Sequence, residues 1–132
     1  MDYSKMSDFE INKRVADIAM NGTWHVKPSH PDNDTGGWLY GSNGIQTYDL
    51  PDYCNNPAGA WPIIAENGIS LIKCTVGSGY WSAEIITDIY DVTDKRFQCQ
   101  SSFDYQDANP LRAAMIVFLM MQDSANVQDN PA

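Results

Sequence analysis

The chain opens with apolar residues at helical spacing. The residues that recur at three- and four-residue intervals are Ile11, Val15 and Ile18. Ser7 and Glu10 stand three positions apart at the start of this stripe, which is the spacing of a capping box. Gly22 follows Asn21 as a helix stop. The pattern predicts a first helix over 7–20.

The middle of the chain alternates between short extended segments and turns. The segments predicted as strands are the stretch around Trp24 and Val26, a hairpin of 38–40 and 45–48 around the loop 41–44, and a meander of 69–76, 80–90 and 96–100. Because hairpins and meanders join neighbouring strands in opposite directions, we expect an antiparallel sheet.

Two further helices are indicated by an asparagine followed by proline. Asn56 and Asn109 each precede such a proline, which is typical of an N-cap followed by the first helical residue. The segment 111–122 is apolar on nearly all sides, as in a helix buried in a domain or in a homodimer interface. Pro62 leaves two alternatives for the earlier segment: a kinked helix, or a turn followed by a helix that begins at Pro62.

These elements predict an α+β fold in one domain over residues 1–123. Its antiparallel sheet has four to five strands, with the N-terminal and C-terminal helices packed on one face. The polar segment 124–132 ends in Asn-Pro-Ala and is predicted to be a disordered tail.

Composition narrows the class of partner and the compartment. With 17 acidic and 8 basic residues in 132, the net charge is −9, which disfavours direct binding of nucleic acid. The longest apolar run, 113–121, is far shorter than the roughly 20 residues that span a bilayer. The charged first residues are not followed by the apolar run of a signal peptide, and the odd number of cysteines, three, favours reduced thiols over a disulfide framework. We expect a cytoplasmic protein with no membrane partner.

Candidate metal ligands are present but their spacing is poor. Asp32 and Asp34 resemble the front of a calcium loop, but glycine and asparagine stand at the fifth and twelfth positions. Asp88, Asp91 and Asp94 recur every three residues, and on a strand this spacing alternates between faces. Both groups are interpreted as turn formers, and no metal or other cofactor is predicted.

Covalent catalysis has little support in the sequence. Cys54 is a possible nucleophile beside Tyr53, but no neighbour that would depress its pKa is visible. His25 and His30 are the two histidines, and both lie far along the chain from every cysteine, which disfavours a zinc site. The catalytic residues are therefore unknown, and the sequence favours a protein that is not an enzyme.

Aromatic residues concentrate in the first half of the chain. Together with two aspartates they form the candidate binding site: Trp24, Asp32, Asp34, Trp38, Tyr40, Tyr48 and Tyr53. Aromatic side chains on loops line ligand pockets and form binding hot spots, but they also serve as core residues with one polar atom. Both interpretations stay open.

Three segments of the chain resemble the phage NinX family of lambdoid phages and prophages. They are 1–12, which reads MDYSKMSDFEIN, the pair 52–57 and 60–64, which reads DYCNNP and AWPII, and 109–122, which reads NPLRAAMIVFLMMQ. They lie at the start, middle and end, so the resemblance covers essentially the whole chain. It implies a phage or prophage origin and expression in the bacterial cytoplasm, but no activity and no catalytic residue.

The sequence leaves two classes of function open. The first is a non-catalytic acidic module that binds a host or phage protein, because negative charge speeds encounter with a basic patch. A variant of it is a DNA mimic, whose carboxylates replace phosphates. The alternative is a small enzyme, or a protein that binds a nucleotide or metal, with its site in the aromatic loops of 24–54.

Overall fold

The computed structural model describes residues 2–19, 38–40, 46–74, 77 and 79–129. A short 3-10 helix, Tyr3–Lys5, precedes the main elements. The helices are α1 (Asp8–Ala19), α2 (Pro57–Asn67) and α3 (Pro110–Asp129). The strands are β1 (Trp38–Tyr40), β2 (Gln46–Tyr48), β3 (Ile69–Lys73), β4 (Trp81–Asp91) and β5 (Arg96–Asp107).

The described strands form two antiparallel sheets. β3, β4 and β5 make a meander with β4 in the centre, and β1 and β2 make a separate hairpin. A β-bulge between Ile85 and Ile86 shifts the pairing of β4 with β5. The predicted α+β class, with antiparallel strands and helices at both ends, is confirmed. The five strands are divided between two sheets, whereas the sequence predicts one sheet of four to five strands.

The core is built around α3, which packs against all three strands of the meander and against both other helices. Every residue from 113 to 119 is buried, as expected for a helix that is apolar all round. From α1, Ile11 and Val15 contribute fully buried side chains, and α2 contributes Ile63 and Ile64. Thus α3 lies on the sheet, while α1 and α2 cover α3.

Side-chain caps fix where each helix begins. The Glu10 N–H donates to Ser7 Oγ at 3.1 Å, which is half of the predicted capping box. Asn56 accepts from the Ala58 N–H at 3.0 Å, and Asn109 Oδ1 accepts from the Leu111 N–H at 3.0 Å. The predicted starts of all three helices are therefore confirmed to within a residue or so.

α2 is one helix that continues through Pro62, so the alternative in which a helix begins at Pro62 is wrong. Pro62 lacks the N–H that would bond the Ala58 carbonyl, and Ala58 is exposed, so water can replace that bond. Gly68 ends the helix in the left-handed region at φ 65°, and its N–H donates to the carbonyls of Ala65 and Ile64.

Two elements are longer than predicted. β5 continues from 100 to Asp107 because Phe103 and Tyr105 pack against the core. α3 continues to Asp129, so the prediction of a disordered tail from Ser124 is wrong over 124–129. Its second half is supported at Asp123, which accepts a hydrogen bond from the Tyr3 hydroxyl and lies 3.7 Å from Arg14. No glycine or proline interrupts the segment before Pro131.

Some predictions fall on residues that the structure does not describe. They are the strand around Trp24 and Val26, the calcium-like loop of 32–43 except for β1, and the last three residues of the predicted tail. These remain predictions.

The buried position of α3 can be tested with Met115→Asp. Met115 is fully buried, so an unpaired charge there should lower the free energy of unfolding by about 3 kcal/mol or more. The variant should therefore be unfolded or only partly folded. Ala125→Asp, at an exposed position of the same helix, is the matched control. Urea denaturation and solution mass are the measurements. A Met115→Asp protein with unchanged midpoint and mass would contradict the placement.

Candidate functional site

A polar network joins the beginnings of all three helices. At its centre lies Arg112, whose side chain is 14% exposed. Its Nη1 donates to Asp8 Oδ1 at 2.7 Å, its Nε to Asp107 Oδ2 at 3.2 Å and its Nη2 to the Met6 carbonyl at 2.7 Å. One guanidinium therefore holds the N-terminal segment against the junction of β5 and α3.

Asparagine amides extend the network to the turn before α2. Asn109 Nδ2 donates to the Cys54 carbonyl at 2.7 Å and to Asn55 Oδ1 at 3.0 Å. The Cys54 N–H donates to Asn12 Oδ1 at 3.1 Å. Asn12 Nδ2 in turn donates to Asp52 Oδ1 at 2.9 Å. Both backbone polar groups of Cys54 are thus bonded, and the turn has one fixed position.

The charges of this network favour a structural role. Partial burial alone would lower the pKa of Arg112, but the hydrogen bond with Asp8 and the charges of Asp107 and Asp8 outweigh it and raise the pKa. Arg112 therefore stays charged. Asp8 also accepts a hydrogen bond from Asn55 Nδ2 at 3.1 Å. The carboxylates of Asp8 and Asp107 are therefore occupied by contacts within the protein. Among the described residues, no group of three or more potential ligands could hold a metal ion.

Cys54 lies within this network but is poorly suited to nucleophilic chemistry. Its side chain is fully buried. Burial first, and then the negative charge of Asp8, raise the pKa of the thiol to about 12, although Arg112 opposes this. A thiol with this pKa is protonated at neutral pH, so the structure does not activate Cys54 as a nucleophile, in agreement with the sequence analysis. Cys74, also free, is half-buried at the end of β3.

A groove of about 650 Å³ lies between the three helices. Its apolar lining comes from Ile18 on α1, Pro51, Pro62 and Ile63 around α2, and Phe118 on α3. Its polar lining is Tyr53, Glu66, Asn67 and Gln122. This combination of an apolar wall and a few convergent polar groups is typical of binding pockets.

Tyr53 is the buried polar residue of the groove. Its side chain is 3% exposed, and within the described part of the chain its hydroxyl has no hydrogen-bond partner. No side-chain polar atom there is both fully enclosed and unpaired, so the hydroxyl keeps some contact with solvent, and Tyr53 lines the groove. Burial raises the pKa of Tyr53, so the hydroxyl stays protonated and can donate.

Of the seven predicted binding residues, Tyr53 is the one whose side chain the structure describes. Trp24, Asp32 and Asp34 lie outside the described residues. The other three lie on the hairpin of β1 and β2, where Trp38 is paired opposite Tyr48 and Tyr40 opposite Gln46. The predicted site within 24–54 remains a prediction, except that Tyr53 belongs to the groove.

Sequence reasoning missed the other members of the groove. Phe118 and Gln122 are four residues apart on α3 and so share a face, but the apolar run around them gives that face no distinction.

Asp91, one of the three aspartates spaced by three, accepts from the N–H groups of Thr93 and Asp94 at 2.9 and 3.2 Å. This Asx turn agrees with the interpretation of Asp91 as a turn former.

Comparison with known proteins identifies the family. The family model described as bacteriophage P22 NinX matches residues 2–122. The chain belongs to the phage NinX family. The match includes every residue of the Arg112 network and every residue that lines the groove. No curated protein and no solved structure matches the chain. In the part of this NinX family protein that the structure describes, no helix has the length and apolarity to cross a membrane.

The Arg112 network predicts a large effect of one substitution. Arg112→Gln should lower the free energy of unfolding by about 2 kcal/mol or more, because it removes the charged donor that Asp8, Asp107 and the Met6 carbonyl share. Arg96→Gln removes an arginine that is 71% exposed and should change stability by less than about 0.5 kcal/mol. Urea denaturation measures both, and equal effects would contradict the role given to Arg112.

Burial of Cys54 predicts a loss of stability in alkali. The unfolded thiol ionises around its ordinary pKa of 9.0, but the folded thiol holds its proton to about 12. The unfolded state therefore loses the proton first, and stability falls as the pH rises from 9 towards 12. Cys54→Ala should make this fall shallower, with Cys74→Ala as the control for loss of a thiol. Denaturation midpoints at pH 8, 9 and 10 provide the comparison, and an unchanged slope in Cys54→Ala would contradict it.

Proposed function

We propose that this phage NinX family protein is a non-catalytic interaction module that binds a host or phage protein in the bacterial cytoplasm. The observation that supports this most is the exposure of Trp61. Its side chain is 62% exposed in the middle of α2. Tryptophan is enriched among the residues that dominate binding energy in protein interfaces.

The exposed side of α2 around Trp61 is mostly apolar, with Glu66 as its charged residue. Its exposed apolar residues are Pro57, Ala58, Trp61, Pro62 and Ala65, which we call the α2 face. A surface helix of a monomer normally presents charged and polar residues to water. A contiguous apolar patch instead marks a site of interaction.

Charge defines the chemistry of the partner. From Gln46 to Ile72 the chain contains Asp49, Asp52 and Glu66 but no lysine or arginine. Along the chain, the α2 face is therefore flanked by negative charge, within a protein whose net charge is −9. The complementary surface is an apolar pocket with a basic rim, which this charge would help to attract over long range.

The state of the reactive groups supports a role other than catalysis. Cys54 is buried with a raised pKa, and Asp8, Asp52 and Asp107 are hydrogen-bonded in a network that connects the helices. These groups are used to hold the fold together.

A pull-down with Trp61→Ala tests the proposal. Tagged protein is added to host lysate, with and without phage induction and at two salt concentrations, and captured proteins are quantified by mass spectrometry. We expect one stoichiometric partner, retained less at high salt, and its loss with Trp61→Ala, because a truncated hot spot costs about 2 kcal/mol or more. The fold should be unaffected, since Trp61 is largely exposed.

Val92→Ser is the matched control, because Val92 is 78% exposed and lies in the turn between β4 and β5, away from α2. It should retain the partner. Loss of the partner when DNA is added would assign it to the DNA-mimic variant of this function. A partner captured equally by Trp61→Ala, or no partner at either salt concentration, would contradict the proposal.

A further inference from the structure

We propose that the groove between the three helices binds a short basic and apolar peptide segment of the partner. An apolar side chain of that segment packs on Phe118 and Ile63, a neighbouring lysine or arginine pairs with Glu66, and a backbone carbonyl accepts a hydrogen bond from the Tyr53 hydroxyl. This rests on the proposed function and names the chemistry that the partner presents.

The Tyr53 hydroxyl indicates a ligand that accepts a hydrogen bond. Tyr53 is 3% exposed and lines the groove, and its hydroxyl has no partner among the described residues but is not fully enclosed. A buried donor is normally satisfied, because leaving it unpaired is costly once water is excluded. A ligand that displaces water from the groove must therefore supply an acceptor, and a peptide carbonyl is the most available one.

Glu66 indicates a cation beside that acceptor. It lines the groove from α2 and is exposed, with no ion pair inside the described ranges. Asn67, the last residue of α2, also lines the groove, so the negative end of the α2 dipole points to this region. Both effects favour a positively charged group, and neither favours a phosphate or a carboxylate.

The size and position of the groove favour a peptide segment. A volume of about 650 Å³ accommodates several side chains rather than one. Pro62 both lines the groove and belongs to the α2 face, so the two surfaces are continuous. A partner that covers Trp61 can therefore place an adjoining segment in the groove, as short apolar motifs do in helical grooves.

Two substitutions remove single interactions without removing the groove. Tyr53→Phe deletes the hydroxyl and keeps the buried ring, and Glu66→Gln deletes the charge and keeps the shape. Tyr105→Phe, at a half-buried tyrosine on β5, and Glu84→Gln, on β4, are the matched controls outside the groove. A third substitution, Gly59→Leu, fills the groove instead.

Gly59 is a suitable position for the filling variant. A Cβ built there would lie 3.6 Å from Tyr53 Cδ1 and 3.8 Å from Pro51 Cβ, which are ordinary contacts. Replacing a helical glycine also favours the helix, so the variant should fold. Thermal melting of all five variants establishes that each one is folded before binding is measured.

The binding probe is a display library of random twelve-residue peptides, selected on the full chain and re-synthesised for fluorescence polarisation. We expect a consensus with an apolar residue beside lysine or arginine. Binding should weaken about tenfold in Tyr53→Phe and in Glu66→Gln, more than that in Gly59→Leu, and remain unchanged in both controls. The loss in Glu66→Gln should shrink at high salt, since a charge pair is screened.

Several results would overturn the inference: no enriched peptides, an acidic consensus, or peptides that bind all three groove variants as tightly as the parent. A groove that binds free arginine amide but selects no peptide would overturn the assignment to a protein segment. The pull-down separates the two proposals. A partner that depends on Trp61 but is retained by all three groove variants supports the proposed function and contradicts the peptide groove.

Discussion

The guanidinium of Arg112 is the contact on which the arrangement of the helices depends. It reaches Asp8 at the first residue of α1 and Asp107 at the end of β5, and Asn109 beside it reaches the turn before α2. The positive ends of three helix dipoles therefore meet at one place, where aspartates and asparagine oxygens offset them. The three segments that resemble the phage NinX family are the three that this network joins, which gives their similarity a physical meaning.

Fixing the helices at their starts also determines the groove. Cys54 is held through both its N–H and its carbonyl, so the adjacent Tyr53 has a defined place against α2. The absence of a side chain at Gly59 leaves room beside that ring. The groove is then lined by later residues of each helix, such as Ile18, Glu66 and Phe118. The network therefore fixes the positions of the helices that form the groove.

The sequence predicts what depends on neighbouring residues and misses what depends on distant ones. The caps at Ser7, Asn56 and Asn109 each act within three residues, and all three are present. The end of α3 was misplaced because Asp123 is supported by Tyr3, 120 positions away. The role of Arg112 could not be predicted for the same reason, since its partner Asp8 is 104 positions away. The groove combines four such distant segments, so no spacing along the chain could reveal it.

The two surfaces of α2 require a rigid helix, and the structure explains how α2 is made rigid. Its start is fixed by the Asn56 cap and the adjoining network, and its end by Gly68 in a conformation that suits glycine. Its inner residues Ile63 and Ile64 are buried against the core. A surface that is ordered before binding loses little conformational entropy when it binds. Trp61 and Glu66 are therefore held on a preorganised element, as the proposed binding surface requires.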